Sequence, residues 1–386
     1  MLKFLAKAFL VIALIVAVIY FGVIYLIKRD AHTAQYNEWM KDIEKEINNE
    51  DTEFVEGGSE KAISVLATMR DDIRRNSAWC GTMQLIWNDM IDEVLEEVPM
   101  FDEENEVIAN LNKKIFTTND LSEEYYYKNF GYKTRALRDE IEKGIKDKFD
   151  ETSAVLDQID WDDEYVPGSG IEKYVFYSML KRDFKFVEKF DILDKSYFDD
   201  TEDISYFGIK EDTKQEIKDQ VDVLYYNNKN DFAFKIPTKN KDVLIAIRKD
   251  DFESSFEKIY YNAIKESSKY KGALKLEEKD ELKIPNLDFK TEREYFEVEG
   301  KEFSTSKGRG KIDQAFQTIE MKLDSEGGTV KSEAFISMTL SASLEPEPIK
   351  EPRYFYCNGE FVLFLIEEGR EKPYFAIKID DIELFQ

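Results

Sequence analysis

The feature that most constrains the fold of this chain is an apolar run close to its N-terminus. Residues 8–27 form a stretch of 20 residues without a single charge. At a rise of about 1.5 Å per residue, a helix of this length spans roughly 30 Å, the thickness of a bilayer's hydrocarbon core. Basic residues flank the run on both sides, so its orientation stays open. The sequence therefore predicts a transmembrane anchor in residues 1–29.

A cleaved signal peptide is the competing interpretation of this run. The apolar part of a signal peptide is usually shorter, about 7–15 residues, and a small-x-small cleavage site follows it. Here the sequence continues as IKRDAHTAQ, which favours an uncleaved anchor. No later segment reaches 18 apolar residues, so we expect the rest of the chain to lie on one side of the membrane.

Composition excludes several classes of protein. With 81 acidic and 54 basic residues the formal net charge is −27, which excludes a general nucleic-acid binder, since that needs a basic surface to neutralise phosphates. Hydrophobic residues at 42% and aromatic residues at 14% exclude a disordered acidic chain. Two cysteines and one histidine exclude a disulfide scaffold, a four-cysteine zinc site and most histidine-based catalysis.

The remaining candidates for chemistry are weak. The sequence has no phosphate-binding glycine loop of either common type, and the glycines of SKGRGK (306–311) predict a solvated turn. A Ser–His–Asp triad would need His32, which lies next to the predicted anchor. Cys80 and Cys357 could form a disulfide outside the cell, but two separate buried thiols are favoured. The acidic run 162–164 could bind calcium, but a solvated acidic face is favoured because the loop spacing is absent. We therefore expect no enzyme.

The organisation along the chain predicts an α+β fold. Residues 30–57 are polar and acidic and predict a tether with a short helix, and a globular domain follows in residues 58–386. Helices are expected mainly in its first half and strands mainly in its second half. The predicted helices are 59–75, 83–98, most of 120–158 and 251–270, and the predicted strands are 174–180 (buried on both faces), the hairpin 221–236, 243–248, 361–366 and 374–379.

The last 75 residues have an unusual layout. An apolar strand ends at an acidic, glycine-containing stretch, LDSEGGT (323–329). A small, polar, proline-bearing stretch follows and ends with SLEPEPIKEP (343–352), and two apolar strands then close the chain. Exposed loops longer than about 12–15 residues are uncommon and usually functional. The layout therefore predicts a functional loop held between two core strands.

This layout resembles the C-terminus of the serpins, in which a strand leads to a hinge, an exposed reactive loop and two closing strands. Glu326, Gly327, Gly328 and Thr329 match the start of the serpin hinge. The strand 361–366 matches the first closing strand, and Pro373, Tyr374 and Phe375 match the last.

Three further stretches resemble serpin motifs in the family's own order: FKFVEKF (184–190), VDVLYYNNKNDFAFKI (221–236) and LKIPNLDF (282–289). Asn76 is similar to an early serpin asparagine, although Cys80 and Gly81 stand where the family has Ser-Pro. The resemblance extends over roughly residues 60–386.

The resemblance implies a fold of helices around three β-sheets, with an exposed reactive loop at about 329–352. It implies a serine (or cysteine) endopeptidase inhibitor that acts as a suicide substrate: the target protease cleaves the loop, which then inserts as a new strand in the main sheet. Counting along the loop places the candidate scissile region at Pro348, Ile349 and Lys350. The expected partners are a protease and, through the anchor, the cell membrane; an extracellular domain is expected, with no cofactor, no metal and no nucleic acid.

Two alternatives stay open. Lys331 and Glu333 would point to the same face of an inserted strand, and an unpaired charge buried there would cost several kcal/mol. Pro346, Pro348 and Pro352 cannot donate hydrogen bonds to a sheet. These features favour a non-inhibitory serpin-fold module that binds partners or serves a structural role at the surface. An unrelated α+β surface domain is the other alternative.

Overall fold

The computed structural model describes residues 33–34, 36–45, 62–153, 155–168, 172–329 and 351–386. The predicted anchor and the loop residues 330–350 lie outside these ranges, and so do Pro348, Ile349 and Lys350. Within the described ranges no helix has the length and apolar character needed to cross a membrane.

The chain divides into two compact units, residues 1–52 and 53–386. In the first unit residues 36–45 form a helix, α1, inside the segment predicted to be a tether with a short helix. The second unit begins close to the predicted start of the globular domain at residue 58 and contains all the elements below.

Helices and strands are mixed along the second unit. The helices are α2 (Thr82–Asp89) with a π-helical continuation (Met90–Leu95), α3 (Glu106–Asn112), α4 (Arg135–Phe149), α5 (Gln215–Asp219), α6 (Phe256–Lys269) and the 3₁₀ turns Glu123–Tyr125, Val155–Gln158 and Ile382–Phe385. The strands are β1 (Ser64–Leu66), β2 (Ser77–Cys80), β3 (Met100–Phe101), β4 (Tyr126–Tyr132), β5 (Tyr174–Leu180), β6 (Asp183–Lys185), β7 (Asp191–Phe198), β8 (Thr201–Ile209), β9 (Asp222–Asn228), β10 (Asp231–Pro237), β11 (Asp242–Arg248), β12 (Glu281–Pro285), β13 (Leu287–Glu294), β14 (Glu302–Thr305), β15 (Gly308–Lys311), β16 (Phe316–Asp324), β17 (Gly327–Thr329), β18 (Tyr354–Tyr356), β19 (Phe361–Glu367) and β20 (Phe375–Ile379).

The largest sheet has seven strands in the order β1-β2-β20-β19-β11-β10-β9. All neighbours are antiparallel except β1 and β2. Every residue of β19 and β20 is buried, as expected for strands covered on both faces. α6 covers part of this sheet, with Phe256 and Tyr260 packed against Phe364. This sheet forms the core of the domain.

Two smaller sheets flank this core. One has the order β18-β12-β8-β7, and the other, β15-β14-β3, carries the hairpin around the SKGRGK turn. The latter packs into a hydrophobic cluster with α2, in which Trp87, Phe101 and Phe303 are in contact.

The remaining strands form two separate sheets, one of four strands (β13-β16-β17-β6) and one of two strands (β4-β5). α4 packs against the two-stranded sheet through Leu137, Ile141 and Ile145, which contact Trp161 and Tyr177. β5 and β6 are consecutive in the chain with two residues between them, yet they belong to different sheets.

The predicted α+β class is confirmed, and so are the helices in 83–98 and 251–270, the 221–236 hairpin and the two closing strands. Two predictions about elements are wrong, and a third is right in part. Residues 59–75 form no helix in their described part; β1 lies there and pairs in parallel with β2. The segment 120–158 contains a long helix as predicted, α4, but it also contains β4, because the tyrosines of that strand and Phe130 suit a strand. β5 is not covered on both faces: only Val175 and Tyr177 are buried. The described residues form five sheets, whereas the resemblance implied three.

Candidate functional site

Three of the four residues predicted as a hinge form a short strand inside a sheet, and the fourth, Glu326, lies in the turn before it. Gly327–Thr329 is β17, which lies between β16 and β6 and runs antiparallel to both. Thr329 pairs with Lys322 on one side and with Asp183 on the other. The chain therefore leaves β16, turns at Ser325 and Glu326, and returns to the same sheet as β17.

Two glycines are required where β17 meets β6. Gly327 has φ +150°, and a Cβ atom there would lie 2.1 Å from the Phe184 carbonyl oxygen. At Gly328 a Cβ atom would lie 2.5 Å from the ring of Phe184 and 2.8 Å from the Lys322 carbonyl oxygen. A side chain at either position would collide with backbone, so the glycine pair allows β17 to lie this close to both neighbours.

The turn before β17 is fixed by hydrogen bonds from the segment after β6. The amides of Phe186 and Phe190 donate to the carbonyl oxygens of Glu326 (3.0 Å) and Ser325 (2.9 Å). The Glu326 carboxylate accepts from Lys189 Nζ at 2.6 Å. This hydrogen bond lowers the pKa of Glu326 and raises that of Lys189. Both side chains are exposed, so the pair contributes little to stability.

Beyond the hinge, an open cleft separates β5 from β16. It encloses about 800 Å³, and residues 173–181 and 315–320 line its two sides. In the described part of the chain β5 pairs with β4 alone, and β17 covers β16 only at Lys322–Asp324. Residues 316–321 of β16 and the facing edge of β5 thus present strand edges to the same cleft, where a further strand could pair with both.

The floor of the cleft is apolar. α2 and its π-helical continuation contribute Met83, Ile86, Trp87 and Met90, which follow the helical spacing of one face. Phe303 of β14 completes this floor. Apolar side chains on one face of an inserted strand would meet an apolar surface there.

β6 is attached to the seven-stranded sheet through the turn between β10 and β11. The Lys185 amide donates to Asn240 Oδ1 at 2.8 Å, and the Lys239 amide donates to the Lys185 carbonyl at 2.8 Å. The side chain of Arg182, between β5 and β6, forms an ion pair with Asp242 at 2.5 Å. The core sheet therefore holds β6, which is the outer neighbour of the hinge strand β17.

Burial dominates the electrostatics of this attachment. Loss of solvent raises the pKa of Asp242 to about 6, against the opposing effect of Arg182. Burial likewise raises the pKa of Tyr125 to about 12, and it raises the pKa of Tyr374 well above its usual value. Sequence reasoning missed Arg182, Asp242 and Lys189, because no spacing in the chain signals contacts between such distant segments.

The structure also describes the other residues that the sequence analysis singled out: the two cysteines, the acidic run 162–164 and Asn76. Cys80 and Cys357 are buried and unpaired, and burial raises both thiol pKa values, so the predicted separate thiols are confirmed. The acidic run 162–164 is engaged by Arg135 and Lys173, and the described residues contain no group of ligands that could hold a metal ion. Asn76 accepts hydrogen bonds from the amides of Asp380 (2.9 Å) and Asp381 (3.0 Å).

Comparison with known proteins gives structural similarity without sequence similarity. No protein-family model and no curated protein matches the chain. Among solved structures it is similar to Serpin48, a highly specific serpin of the insect Tenebrio molitor, with 11% identity, a TM-score of 0.42, and 80% of this chain and 92% of that chain covered. It is also similar to thyroxine-binding globulin in complex with thyroxine, with 11% identity, a TM-score of 0.42, and 79% and 92% covered. A second structure, of the human globulin, gives 12% identity, a TM-score of 0.35 and 63% of each chain.

A serpin is thus among the solved structures with which this chain aligns over most of its length, as the sequence resemblance led us to expect. Because these TM-scores are below 0.5, the function proposed next rests on the strand pairing within this chain.

Proposed function

We propose that this chain is a serpin-like inhibitor of serine or cysteine endopeptidases that acts as a suicide substrate. The loop at about 329–352 is the bait, and the scissile bond lies in Pro348–Lys350. The observation that carries the proposal is the position of Gly327–Thr329, already paired between β16 and β6 at the end of the cleft between β5 and β16. After cleavage the same strand would continue into that cleft.

The register of β17 supports this continuation. Thr329 lies opposite Lys322, so the next residues, 330–335, would lie opposite Met321 to Phe316 in an unbroken ladder. Six residues of strand span about 20 Å. Each would gain a hydrogen-bonding neighbour on β16 and another on β5, which is the physical source of stability in such an insertion.

The same register argues against the objection raised by the charges in the hinge. On β16 the side chains of Lys322 and Glu320 are exposed, whereas those of Met321 and Ile319 are buried. Residues directly opposite each other in an antiparallel pair share a face of the sheet. Lys331 would therefore share the exposed face with Glu320, and Glu333 would follow it there. The buried face would receive Val330, Ser332 and Ala334, which are small or apolar.

The second candidate function is a non-inhibitory serpin-fold module that binds partners at the surface. The loop prolines favour it, because Pro346 and Pro348 would interrupt the ladder of a fully inserted strand. These prolines lie more than ten residues beyond the six that face β16. They would therefore limit how much of the loop inserts into the cleft, but they would not prevent the first residues after the hinge from inserting.

The membrane anchor in residues 1–29 and the extracellular position of the domain belong to the same proposal. An inhibitor of secreted proteases needs its loop outside the cell, and an acidic tether would hold the domain away from the membrane. The charge of −27 would favour a basic protease by long-range attraction that salt weakens.

The test is an incubation of the full-length chain in detergent with a panel of serine and cysteine proteases. Denaturing gels are then run, and the melting temperature of the nicked product is measured. A covalent complex that survives denaturation, or a nicked form much more heat-stable than the intact one, is the expected result. Clean cleavage near Ile349 with neither effect would reject the inhibitor and leave the binding module.

A further inference from the structure

The pair Arg182–Asp242 is fully buried, with no exposed side-chain surface on either residue. Arg182 Nε lies 2.5 Å from Asp242 Oδ1, and the same oxygen accepts a hydrogen bond from the Tyr374 hydroxyl at 3.0 Å. The guanidinium also lies 3.5 Å from the centre of the Tyr125 ring, a cation–π arrangement. Four distant parts of the chain, which contribute Tyr125, Arg182, Asp242 and Tyr374, thus meet at this one pair.

The position of the pair relates it to the hinge. Arg182 directly precedes β6, and the next residue, Asp183, pairs with Thr329. Asp242 is the first residue of β11 in the seven-stranded sheet. The pair therefore ties the β5–β6 segment to the core sheet at the place where the hinge strand ends and the cleft begins.

The hydrogen bonding of the pair is incomplete. Arg182 Nη1 and Asp242 Oδ2 are buried and have no hydrogen-bond partner in the part of the chain that the structure describes. By contrast, the buried Arg353 donates to Asp280 with both Nε and Nη2, and its Nη1 donates to the Ala273 carbonyl oxygen. A buried pair with unsatisfied atoms is a poor source of stability, so it calls for another explanation.

We propose that Arg182 and Asp242 are positioning residues that latch the β5–β6 segment to the core sheet, and that this latch limits how fast the hinge strand advances into the cleft. The physical reason is that a desolvated ion pair cannot be loosened gradually. Separating it leaves a charge buried without a partner, so the attachment is either intact or broken. The rate effect rests on the proposed inhibitor function, whereas the latch itself is a property of the intact chain.

The test compares two double variants of the full-length, uncleaved protein by hydrogen exchange. Arg182→Met with Asp242→Asn removes the charges of the latch and keeps an acceptor for Tyr374. The matched control is Arg70→Met with Glu257→Gln, which removes a pair of similar burial (2.8 Å, side chains 9% and 1% exposed) between the β1–β2 connection and α6.

In the latch variant we expect the amides of residues 183–186 and 327–329 to exchange at least about tenfold faster, with α6 unchanged. The control variant should accelerate exchange in α6 and leave β6 and β17 unchanged. Unchanged exchange at β6 and β17 in the latch variant would overturn the proposal. Acceleration spread evenly over the domain would overturn it too, because it would show a merely structural pair.

The rate is tested on cleaved protein, by following the conversion to the heat-stable form. We expect the latch variant to convert about tenfold faster than the wild type, and the control to convert at the wild-type rate. Equal rates in all three proteins would overturn the claim that the latch limits insertion. If no protein converts at all, the inhibitor function fails, and the exchange experiment alone still decides whether the latch exists.

Discussion

The seven-stranded sheet differs in its strand pairing from the two sheets on either side of the cleft, β4-β5 and β13-β16-β17-β6, which together are called the split sheet below. In the first, β19 is paired along its whole length with β11 on one side and β20 along most of the other, and every one of its residues is buried. In the second, β5 and β16 face each other across a cleft of about 800 Å³. Among the described residues these two strands do not pair with each other. The seven-stranded sheet is fully paired around β19, whereas the sheets at the cleft have strand edges that are unpaired among the described residues.

The difference teaches where stability and where function reside. Burial in the seven-stranded sheet gives the domain its cooperative stability. The split sheet holds unpaired edges above an apolar floor, an arrangement that gains free energy when a strand is added. Under the proposed function, the hinge strand β17 is the start of such a strand.

The largest expected effect comes from replacing one phenylalanine by alanine in each region and comparing the losses of unfolding free energy. Phe364→Ala removes a fully buried ring of β19 and should cost about 3–5 kcal/mol of unfolding free energy. Phe176→Ala truncates a half-buried ring of β5 at the cleft and should cost about 1–2 kcal/mol. Urea denaturation of both variants measures these values. Equal losses would contradict the division into a finished and an unfinished sheet.

The next effect concerns which face of the inserted strand tolerates charge. Ser332→Lys would place an unpaired ammonium on the buried face at a cost of several kcal/mol, so the gain in melting temperature after loop cleavage should vanish. Lys331→Ser is the matched control, because it removes a charge from the exposed face, and we expect it to keep the gain. A gain that survives in Ser332→Lys would show that the strand inserts out of this register. No gain even in the wild type would show that it does not insert at all.

A smaller effect tests the close approach of β17 to β6. Gly327→Ala should strain the hinge by about 1–3 kcal/mol and speed hydrogen exchange at residues 327–329. Gly208→Ala is the control: Gly208 has φ +157°, and a Cβ atom there would lie 1.9 Å from the Leu282 carbonyl oxygen, but in the sheet that contains β8. The two variants should lose similar stability in calorimetry. Faster exchange at 327–329 in the Gly208 variant would argue against a hinge that responds separately.

The smallest effect is expected at the exposed pair Lys189–Glu326. Lys189→Ala removes it, and the melting temperature should stay within experimental error of the wild type, because water and salt screen the two charges. A clear loss of stability at low salt would show that the side chain of Glu326, and not only its backbone, holds the turn before β17.

The sequence predicted those parts of the fold that depend on local pattern. Alternating residues in 221–236 with a polar turn between them gave the hairpin β9–β10, and the apolar runs near the C-terminus gave β19 and β20. Residues 59–75 were mistaken for a helix, because Ile63, Leu66 and Met69 have helical spacing. The strand there forms by parallel pairing with β2, a non-local contact that spacing does not reveal.

The candidate site was predictable in part for the same reason. Two adjacent glycines after an acidic turn predict a hinge, and β17 forms there. That β17 acts as a hinge stays a prediction. The cleft was not predictable, because it arises from the separation of β5 and β16, which are more than 100 residues apart in the chain. The proposed placement of Lys331 and Glu333 on the exposed face was also not predictable, since it depends on which face of β16 is exposed.

The central claim is that the hinge strand continues into the cleft after the loop is cut. The most direct measurement is hydrogen exchange of the full-length protein before and after cleavage in residues 348–350, read at residues 173–181 and 315–321. The account predicts that these amides become strongly protected on cleavage while those of β19 do not change. Unchanged exchange at both edges of the cleft, in protein shown to be cleaved, would contradict it.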